Sequence, residues 1–419
     1  MAEEALHIIG GKPLHGEVTV QGAKNSALPI MAAAILVDGE TLLENVPRLT
    51  DVSAAARILS AVGCRTILSG ETASIDGSGA SEIEIPDEDM RKMRSSIMFL
   101  GPMLGRLGAC TLTMPGGCEL GPRPIDMHLD AVQRMGARVT EENGRIVCRG
   151  ELAGTRISLC YPSVGVTENV LMAACLAKGE TVLTGAAREP EIVDLAGFLN
   201  RCGAKIYGAG ESEVRIIGVR KLNPCRYCIM PDRIVAMTYL CAGAAAGGTI
   251  CVQDARPCDL ESCLAVLESI GCRIGRCSER IFLDAGANLK PIRYLRTMPY
   301  PAFPTDAQAL LMAVLLRAKG TSLLEETVFE SRYKHVGEML RMGAQIRVSG
   351  RTAVIYGGHP LHGAAVEATD LRGGASLAVS ALAAEGETVI RKLCHLDRGY
   401  TNIAKSLQAL GAEIQRTSF

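Results

Sequence analysis

The sequence lacks an excess of either charge and any long apolar run. Its 44 basic and 45 acidic residues leave a formal net charge of −1, whereas general nucleic-acid-binding proteins carry a basic excess. The richest apolar stretch, residues 309–316, is far shorter than the roughly 18 residues that a membrane span needs. The first residues are partly acidic, so we expect no secretory signal. These absences favour a cytoplasmic protein with no nucleic-acid partner and no membrane insertion, and they leave room for a local anion pocket.

The common nucleotide and hydrolase motifs are also missing. There is no GxGxxG, no GxxxxGK[ST], no HExxH and no recognisable Ser–His–Asp order, so hydride transfer, P-loop chemistry and hydrolysis lack support. One CxxC stands alone at residues 225–228, and zinc sites usually need two such pairs or partnered histidines. We predict no metal. Sixteen cysteines without an export signal indicate reduced thiols, most of them small buried side chains.

What the sequence does contain is a sixfold internal repeat. An amphipathic helix, a glycine and a short strand recur in the same order, as in residues 48–67 and 125–140. The six pivot glycines, which lie 67 to 73 residues apart by subtraction, are Gly63, Gly136, Gly203, Gly271, Gly343 and Gly411. A glycine with positive φ ends a helix well, and an Ala-rich helix followed by Gly-Glu-Thr or a variant forms the rest of each unit. The repeat predicts an α/β fold of about six units of roughly 70 residues, which fit better as two clusters of three than as a solenoid.

Four loop segments interrupt this repeat and carry the candidate chemistry. In the first, Lys24 and Asn25 lie close to the start of a predicted helix. A cation beside helix N–H groups suits a phosphate or a carboxylate. On this segment alone, a solvated surface lysine is the alternative.

Cys118 lies in the second loop, after two glycines and before Gly121, Pro122 and Arg123. A core cysteine needs no flanking glycines and no nearby arginine, whereas a reactive thiol benefits from both. Its chemistry could be nucleophilic or acid–base, since a thiol with an ordinary pKa of about 8.5 can donate a proton near neutral pH.

The third and fourth segments lie in the C-terminal half. Asp306 opens a helix pattern after Pro-Thr, where it or Thr305 could cap the helix or act as a general base. Asp370, Arg372, Asp397 and Arg398 have the spacing of loop ion pairs. Arg372 and Arg398 could instead bind phosphate or carboxylate in bidentate fashion.

Together these segments resemble the enolpyruvyl transferases, and among them the UDP-N-acetylglucosamine carboxyvinyltransferases of bacterial peptidoglycan precursor synthesis. The resemblance covers residues 7–417 in the right order. The segments that carry it are GGKPLHGEVTVQGAKNSALP, PGGCELGPRPIDMHL, YPSVGVTENV, REPEIVD, PAFPTDAQA, ATDLR and HLDRGY. The sister family, the enolpyruvylshikimate-phosphate synthases, shares the six-unit architecture and lacks this cysteine loop.

The resemblance implies two inside-out α/β barrel domains of three units each. The first would comprise residues 1–22 and 231–419, and the second, with the cysteine loop, residues 23–230. It implies a transfer of the enolpyruvyl group from phosphoenolpyruvate to the 3-hydroxyl of UDP-N-acetylglucosamine in the cleft between the domains, without a metal or organic cofactor. Both substrates are small molecules, and no oligomeric state is predicted.

The resemblance also implies roles for individual residues. Lys24, Arg123 and Arg398, with Arg94, resemble the phosphoenolpyruvate clamp. Cys118 is similar to the loop cysteine that protonates C3 and also bonds covalently to phosphoenolpyruvate, and Asp306 to the group that takes the sugar hydroxyl proton. Asn25 is similar to the residue that steadies the tetrahedral intermediate, beside Asp370 and Arg372. The remaining substrate contacts implied are Ser163, Val164 and Gly165 at the diphosphate, Asp232 and Arg233 on the nucleotide side, and Val328 and Phe329 at the UDP-sugar.

The sequence departs from the family pattern at a few positions. Val235, Ala236 and Met237 replace an acidic residue and small ones, and Pro122 replaces an alanine in the cysteine loop. Thr401 and Asn402 stand where charged residues are common. The open alternatives are enolpyruvyl transfer to a different acceptor and a catalytically silent paralogue that serves as a binding partner.

Overall fold

Helices alternate with strands along the described chain. The computed structural model describes residues 4–92, 96–113 and 125–418, apart from the side chains of residues 91 and 92. The chain begins with β1 (Glu4–Ile9) and β2 (Leu14–Thr19). The next helices are α1 (Lys24–Ala33), α2 (Thr50–Ala61), α3 (Asp87–Lys92), α4 (Leu100–Leu107), α5 (Asp126–Arg134), α6 (Val164–Ala174) and α7 (Pro190–Arg201). The strands among them are β3 (Glu40–Glu44), β4 (Arg65–Ser69), β5 (Thr72–Asp76), β6 (Ala109–Thr113), β7 (Arg138–Glu142), β8 (Arg145–Arg149), β9 (Arg156–Ser158), β10 (Glu180–Thr184), β11 (Lys205–Tyr207), β12 (Glu213–Ile217) and β13 (Arg226–Cys228).

The same alternation continues to the end of the chain. The helices there are α8 (Arg233–Ala246), α9 (Glu261–Ser269), α10 (Thr305–Leu315), α11 (Val336–Arg341), α12 (Leu371–Ala383) and α13 (Ile403–Ala409). The strands are β14 (Gly248–Gln253), β15 (Arg273–Cys277), β16 (Arg280–Asp284), β17 (Leu295–Arg296), β18 (Gly320–Glu325), β19 (Gln345–Ser349), β20 (Thr352–Gly357), β21 (Ala365–Glu367), β22 (Glu387–Arg391) and β23 (Glu413–Ser418). Short 3₁₀ turns occupy Ala34–Leu36, Ser96–Phe99, Pro257–Asp259 and Leu393–Arg398.

The described residues form two units. The terminal unit contains residues 4–21 and 231–418, and the middle unit contains the described residues between 22 and 230. Each unit holds three sheets. Five of the six sheets share one topology, in which two neighbouring strands are parallel and the other pairs antiparallel, as in the order β15-β16-β14-β2.

The sixth sheet, β6-β8-β7, has three strands among the described residues. A single parallel bridge between Glu84 and Thr111 stands where the other sheets have their fourth strand. In this repeat of the middle unit, a single bridge therefore replaces the parallel edge strand.

The terminal unit is built around three helices, α8, α10 and α12, which pack against one another. Nearly every residue of these helices is buried, including Arg233–Ala245 of α8. Strands such as β16 and β22 instead alternate buried and exposed residues, so one face of each sheet covers the helices. Helices at the centre and sheets outside make an inside-out barrel, and the predicted fold class is confirmed. Truncating a large core side chain such as Met312, which has no exposed surface, would cost about 2–5 kcal/mol.

The middle unit repeats this plan with α1, α4 and α6, and α4 packs against α6. Close approach there needs glycine: a Cβ on Gly101 of α4 would lie 2.4 Å from the carbonyl oxygen of Asn169 on α6. Small residues therefore let the central helices approach closely, as the Ala-rich segments predict.

All six pivot glycines follow an outer helix and have positive φ, between 86° and 109°. A strand begins two residues later in every repeat, for example β4 after Gly63 and β23 after Gly411. The predicted sequence of helix, glycine and strand is confirmed in all six copies.

Nine of the 15 cysteines within the described residues are buried, and none of the 15 forms a disulfide. This agrees with the prediction of small buried thiols. In the same part of the chain, the longest apolar helices fall short of the length required to cross a bilayer.

Candidate active site

In the terminal unit, the carboxylate of Asp306 lies between two arginines. Arg332 Nη2 donates to Asp306 Oδ1 at 2.5 Å, and Arg372 Nη2 donates to Oδ2 at 3.3 Å. Helix α10 begins at Thr305 without a side-chain cap. The alternative in which Thr305 or Asp306 caps this helix is therefore wrong, because Pro304 occupies the capping position and no side chain caps the helix.

These two arginines are almost completely buried. Their side chains are 3% and 5% exposed, whereas that of Asp306 is 28% exposed. Burial alone would lower the pKa of Arg372, but Asp306, Tyr400 and Asp232 raise it above its ordinary value. Arg372 therefore stays charged. The Asp306 carboxylate binds two buried arginines and remains partly accessible to solvent.

The network continues from Arg372 into the core of the unit. Arg372 Nη1 donates to Tyr400 Oη at 3.5 Å, and Tyr400 Oη lies 2.8 Å from Thr238 Oγ1 on α8. Our sequence analysis missed Arg332 and Tyr400. A signal existed for Tyr400, which directly follows the Arg398-Gly399 pair.

Asp232 and Asp370 begin two of the central helices. Asp232 Oδ1 accepts from the N–H groups of Ile234 and Val235 at 2.9 and 3.1 Å. Asp370 Oδ1 accepts from those of Arg372 and Gly373, both at 3.0 Å. Asp232 and Asp370 are thus N-caps that stabilise α8 and α12. Each lies next to the start of the helix that carries another predicted site residue, Arg233 in α8 and Arg372 in α12.

Three of the four C-terminal loop residues have identified partners outside this group. Arg372 binds Asp306, Asp370 caps α12, and Asp397 accepts from Arg416 Nη1 and Nη2 at 2.7 and 2.8 Å. The ion-pair alternative therefore holds for Arg372 and Asp397, each of which pairs with a charged residue outside this group. Arg398 ends the last 3₁₀ turn and is half-buried.

Val328 and Phe329 are tied to this network through Glu326. Their N–H groups donate to Glu326 Oε1 at 2.8 and 3.0 Å, and Thr305 Oγ1 donates to Oε2 at 2.9 Å. The Arg332 guanidinium lies 5.3 Å from the centre of the Phe329 ring. The predicted sugar-contact residues and Asp306 therefore belong to one connected cluster.

In the middle unit, Lys24 is the first residue of α1. Its Nζ lies 3.4 Å from Asp51 Oδ2, and the two side chains are 12% and 5% exposed. The surface-lysine alternative is therefore wrong. Asn25 follows at the next helical position and is half-buried.

Three glutamates of the middle unit interact electrostatically. Glu168 lies in α6, Glu191 in α7, and Glu189 directly before α7. Burial raises the pKa of Glu168 to about 8, with further increases from Glu191 and Glu189. The raised pKa of Glu168 favours its protonated form near neutral pH in the folded protein.

Ser163, Val164 and Gly165 form the N-terminus of α6. Ser163 caps it by accepting from the N–H of Val166 at 3.5 Å, and all three predicted residues are half-buried. A Cβ on Gly165 would lie 3.2 Å from Cε1 of His128, whose Nδ1 is 2.8 Å from Asn169 Nδ2. The free N–H groups of a helix start suit a diphosphate, and His128 limits the space beside them.

The other predicted site residues need separate comment. Arg94, Cys118 and Arg123 lie outside the described residues. Arg233 begins α8, with its guanidinium 5.6 Å from the centre of the Tyr300 ring. The predicted convergence of Lys24, Arg123 and Arg398 on one anion stays a prediction.

Comparison with known proteins decides the family. Residues 8–407 match the model of the EPSP synthase (3-phosphoshikimate 1-carboxyvinyltransferase) family. The chain belongs to this family. It is 46% identical over 410 residues to UDP-N-acetylglucosamine 1-carboxyvinyltransferase 2 of Caldanaerobacter subterraneus subsp. tengcongensis, covering 98% of each chain. It is also 46% identical to UDP-N-acetylglucosamine 1-carboxyvinyltransferase of Nitratidesulfovibrio vulgaris (strain DP4), covering 99% of each.

A solved member of the same fold family supports the assignment. The enolpyruvyl transferase NikO from Streptomyces tendae superposes with a TM-score of 0.90 at 25% identity, covering all of both chains. The sequence resemblance to enolpyruvyl transferases is confirmed by these relatives.

The structure describes five of the six residues at which this enolpyruvyl transferase departs from the family pattern. Val235, Ala236 and Met237 are completely buried in α8. Asn402 caps α13 by accepting from the N–H of Lys405 at 2.9 Å, and Thr401 N–H donates to Gln21 Oε1 at 2.8 Å. These residues therefore serve packing and capping, and Pro122 is outside the described residues.

Proposed function

We propose that this protein transfers the enolpyruvyl group of phosphoenolpyruvate to the 3-hydroxyl of UDP-N-acetylglucosamine and releases phosphate. The observation that carries the proposal is the near-full-length similarity, at 46% identity, to two proteins with that named activity. The arginine-held carboxylate of Asp306 adds chemical support, because acceptor activation needs a positioned proton acceptor.

The reaction proceeds by addition and then elimination. A proton reaches C3 of phosphoenolpyruvate, which makes C2 electrophilic, and the sugar oxygen bonds to C2 as its own proton leaves. The C2–phosphate bond then breaks and a proton leaves C3, which restores the double bond as a vinyl ether. No electrons are exchanged with a cofactor, so the two substrates account for every atom of the products.

We assign the two proton transfers to Cys118 and Asp306. The Cys118 thiol donates to C3, and the Asp306 carboxylate accepts the hydroxyl proton. A carboxylate is a far weaker base than a sugar alkoxide. It therefore takes the proton as the new C–O bond forms, when the hydroxyl is most acidic.

The cations act on the charge that grows on the departing phosphate. We propose that Lys24, Arg123 and Arg398, with Arg94, bind the phosphate and carboxylate of phosphoenolpyruvate. Asn25, Asp370 and Arg372 would steady the tetrahedral intermediate. Charge-neutral replacement of each clamp cation should raise KM for phosphoenolpyruvate or reduce turnover, and unchanged kinetics in all of them would refute the clamp.

The UDP-sugar would occupy the residues assigned to it by the family pattern. Helix α6 offers its N-terminus at Ser163, Val164 and Gly165 to the diphosphate. Val328 and Phe329 would contact the sugar, and Asp232 and Arg233 the nucleotide side. We also propose that the terminal and middle units are the two domains, and that the enzyme works in the cytoplasm.

The direct test measures phosphate release by the full-length protein. Release should require both phosphoenolpyruvate and UDP-N-acetylglucosamine and should stop when either is omitted. The alternative acceptor is shikimate 3-phosphate, because the family model carries that name. Turnover with shikimate 3-phosphate and none with the UDP-sugar would overturn the proposal, and no turnover with either would favour a silent paralogue.

A further inference from the structure

Two thiols of the middle unit face each other, and neither belongs to the residues assigned to catalysis. Cys202 directly follows α7, Cys225 directly precedes β13, and their Sγ atoms are 3.4 Å apart. Sequence spacing instead pairs Cys225 with Cys228, whose Sγ lies 3.8 Å from the carbonyl oxygen of Ile229. The fold thus selects a cysteine pair that the CxxC motif does not predict.

The two segments are held together on both sides of this thiol pair. Asn223 N–H donates to the carbonyl oxygen of Cys202 at 2.8 Å. Beyond Cys225, Tyr227 Oη donates to Asp194 Oδ1 on α7 at 2.8 Å and its ring meets that of Phe198 edge to face. A disulfide has an S–S length of about 2.05 Å, so the two Sγ atoms, 3.4 Å apart, have to approach by about 1.4 Å to form one.

The thiols differ in accessibility and acidity. Cys202 is buried, whereas Cys225 is half-buried between the exposed residues Pro224 and Arg226. The hydrogen bond with Cys202 lowers the pKa of Cys225, partial burial opposes this effect, and the Arg201 charge lowers the pKa further. The hydrogen bond and burial raise the pKa of Cys202. Reactive cysteines lie in accessible, electropositive surroundings, and here only Cys225 of the pair meets that description.

We propose that Cys225 is a modification site for low-molecular-weight disulfides and that Cys202 is its resolving thiol. The Cys225 thiolate attacks one sulfur of the external disulfide, which breaks the external S–S bond and releases one thiolate. Cys202, deprotonated as it attacks, then bonds to Cys225 Sγ and releases the second thiolate. The protein loses two electrons to the external disulfide, which becomes two thiols, and the product is an internal disulfide that dithiothreitol reverses.

The test exposes the purified full-length protein to glutathione disulfide and maps every cysteine by mass spectrometry without reduction. We expect a linked Cys202–Cys225 peptide pair that disappears after dithiothreitol. The thermal midpoint should also rise by several degrees, because the crosslink constrains the unfolded chain. Cys160, Cys277 and Cys394, which are exposed, serve as internal references for simple mixed disulfides.

Three variants separate the steps. Cys202→Ser should stop at a stable glutathione adduct on Cys225, and Cys225→Ser should leave Cys202 unmodified and abolish the thermal shift. Cys228→Ser is the matched control and should behave like the parent protein. A Cys225–Cys228 link, or an unmodified Cys225 while the reference cysteines react, would overturn the proposal. If Cys202→Ser folds poorly, peptide mapping of the parent protein and of Cys225→Ser still decides the outcome.

Discussion

Replacing Asp306 by asparagine tests the proposed base and the arginine network at once. The carboxylate accepts two charge-assisted hydrogen bonds, from Arg332 and Arg372, and such bonds contribute about 1.5–3 kcal/mol each. Asparagine keeps an acceptor oxygen but removes the negative charge that the two buried guanidiniums share. Because the Asp306 side chain is 28% exposed, water replaces part of the loss, and we expect a net loss of about 2–4 kcal/mol.

The variant should therefore differ from the parent protein in two measurements. In a domain of this size each kcal/mol of lost stability lowers the thermal midpoint by about 2–4 °C. The thermal midpoint of the terminal unit should therefore fall by roughly 5–15 °C. Phosphate release should fall by about 10²–10⁴-fold, the usual contribution of a general base. The matched control is Glu330→Gln, since Glu330 forms an exposed pair with Arg351 at 3.4 Å. That control should change stability by less than about 0.5 kcal/mol and leave turnover intact.

A double variant separates the structural role of Asp306 from the catalytic one. Asp306→Asn removes the negative partner of Arg332, and adding Arg332→Met also removes the buried positive charge that would be left behind. Residues in direct contact are not additive, so the double variant should regain about 1 kcal/mol or more over the additive sum without regaining activity. Asp306→Asn with near-normal turnover, or a double variant that recovers turnover along with stability, would refute the assignment of the base.

Three further predictions concern the acid, a buried carboxyl and the diphosphate site. Cys118→Ser should lose most phosphate release across the pH range, because a hydroxyl is a far weaker acid than a thiol. Cys118→Asp should retain much more, because a carboxyl can also deliver a proton, and it should resist fosfomycin, an epoxide that alkylates the loop cysteine in this family. Equal fosfomycin sensitivity of that variant and the parent protein would show that the Cys118 thiol is not the target of the epoxide. Because folding raises the pKa of Glu168 from 4.5 to about 8, its contribution to stability is fully present below the lower value and is lost as pH rises towards the upper one. Between about pH 5 and about pH 8, the urea midpoint should therefore fall less in Glu168→Gln than in the parent protein. Parallel plots of urea midpoint against pH for the two proteins would contradict this. Gly165→Ala places a Cβ 3.2 Å from His128 Cε1 and should raise KM for the UDP-sugar about fivefold, roughly 1 kcal/mol, whereas an unchanged KM would mean that this helix start does not bind the diphosphate.

The repeat was predictable because its determinants are local. A glycine such as Gly63, at the end of an amphipathic helix, allows a positive φ that L-residues avoid. Each copy carries the same local signal, so helix, turn and strand could all be placed from the sequence. The three-stranded sheet β6-β8-β7 could not be predicted, because the bridge of Glu84 to Thr111 depends on tertiary pairing.

The candidate site was only partly predictable. Loops with unusual composition pointed to Lys24 and Asp306, but each residue alone allowed a surface or capping role. Their partners decided otherwise: Asp51 lies 27 positions from Lys24, and Arg332 lies 26 from Asp306. Contacts at such separations depend on how outer and central helices pack, and no local pattern encodes them. The Cys202–Cys225 pair was missed for the same reason.

The most direct test of enolpyruvyl transfer follows the labelled carbon itself. The protein is incubated with UDP-N-acetylglucosamine and phosphoenolpyruvate carrying carbon-13 at C2, in deuterated water, and the products are analysed by NMR. Addition and elimination predict the label in a vinyl ether on the 3-oxygen of the sugar, deuterium at its methylene carbon, and one phosphate released per ether formed. Label that remains in phosphoenolpyruvate or appears as pyruvate, with the UDP-sugar unchanged, would contradict the proposed reaction.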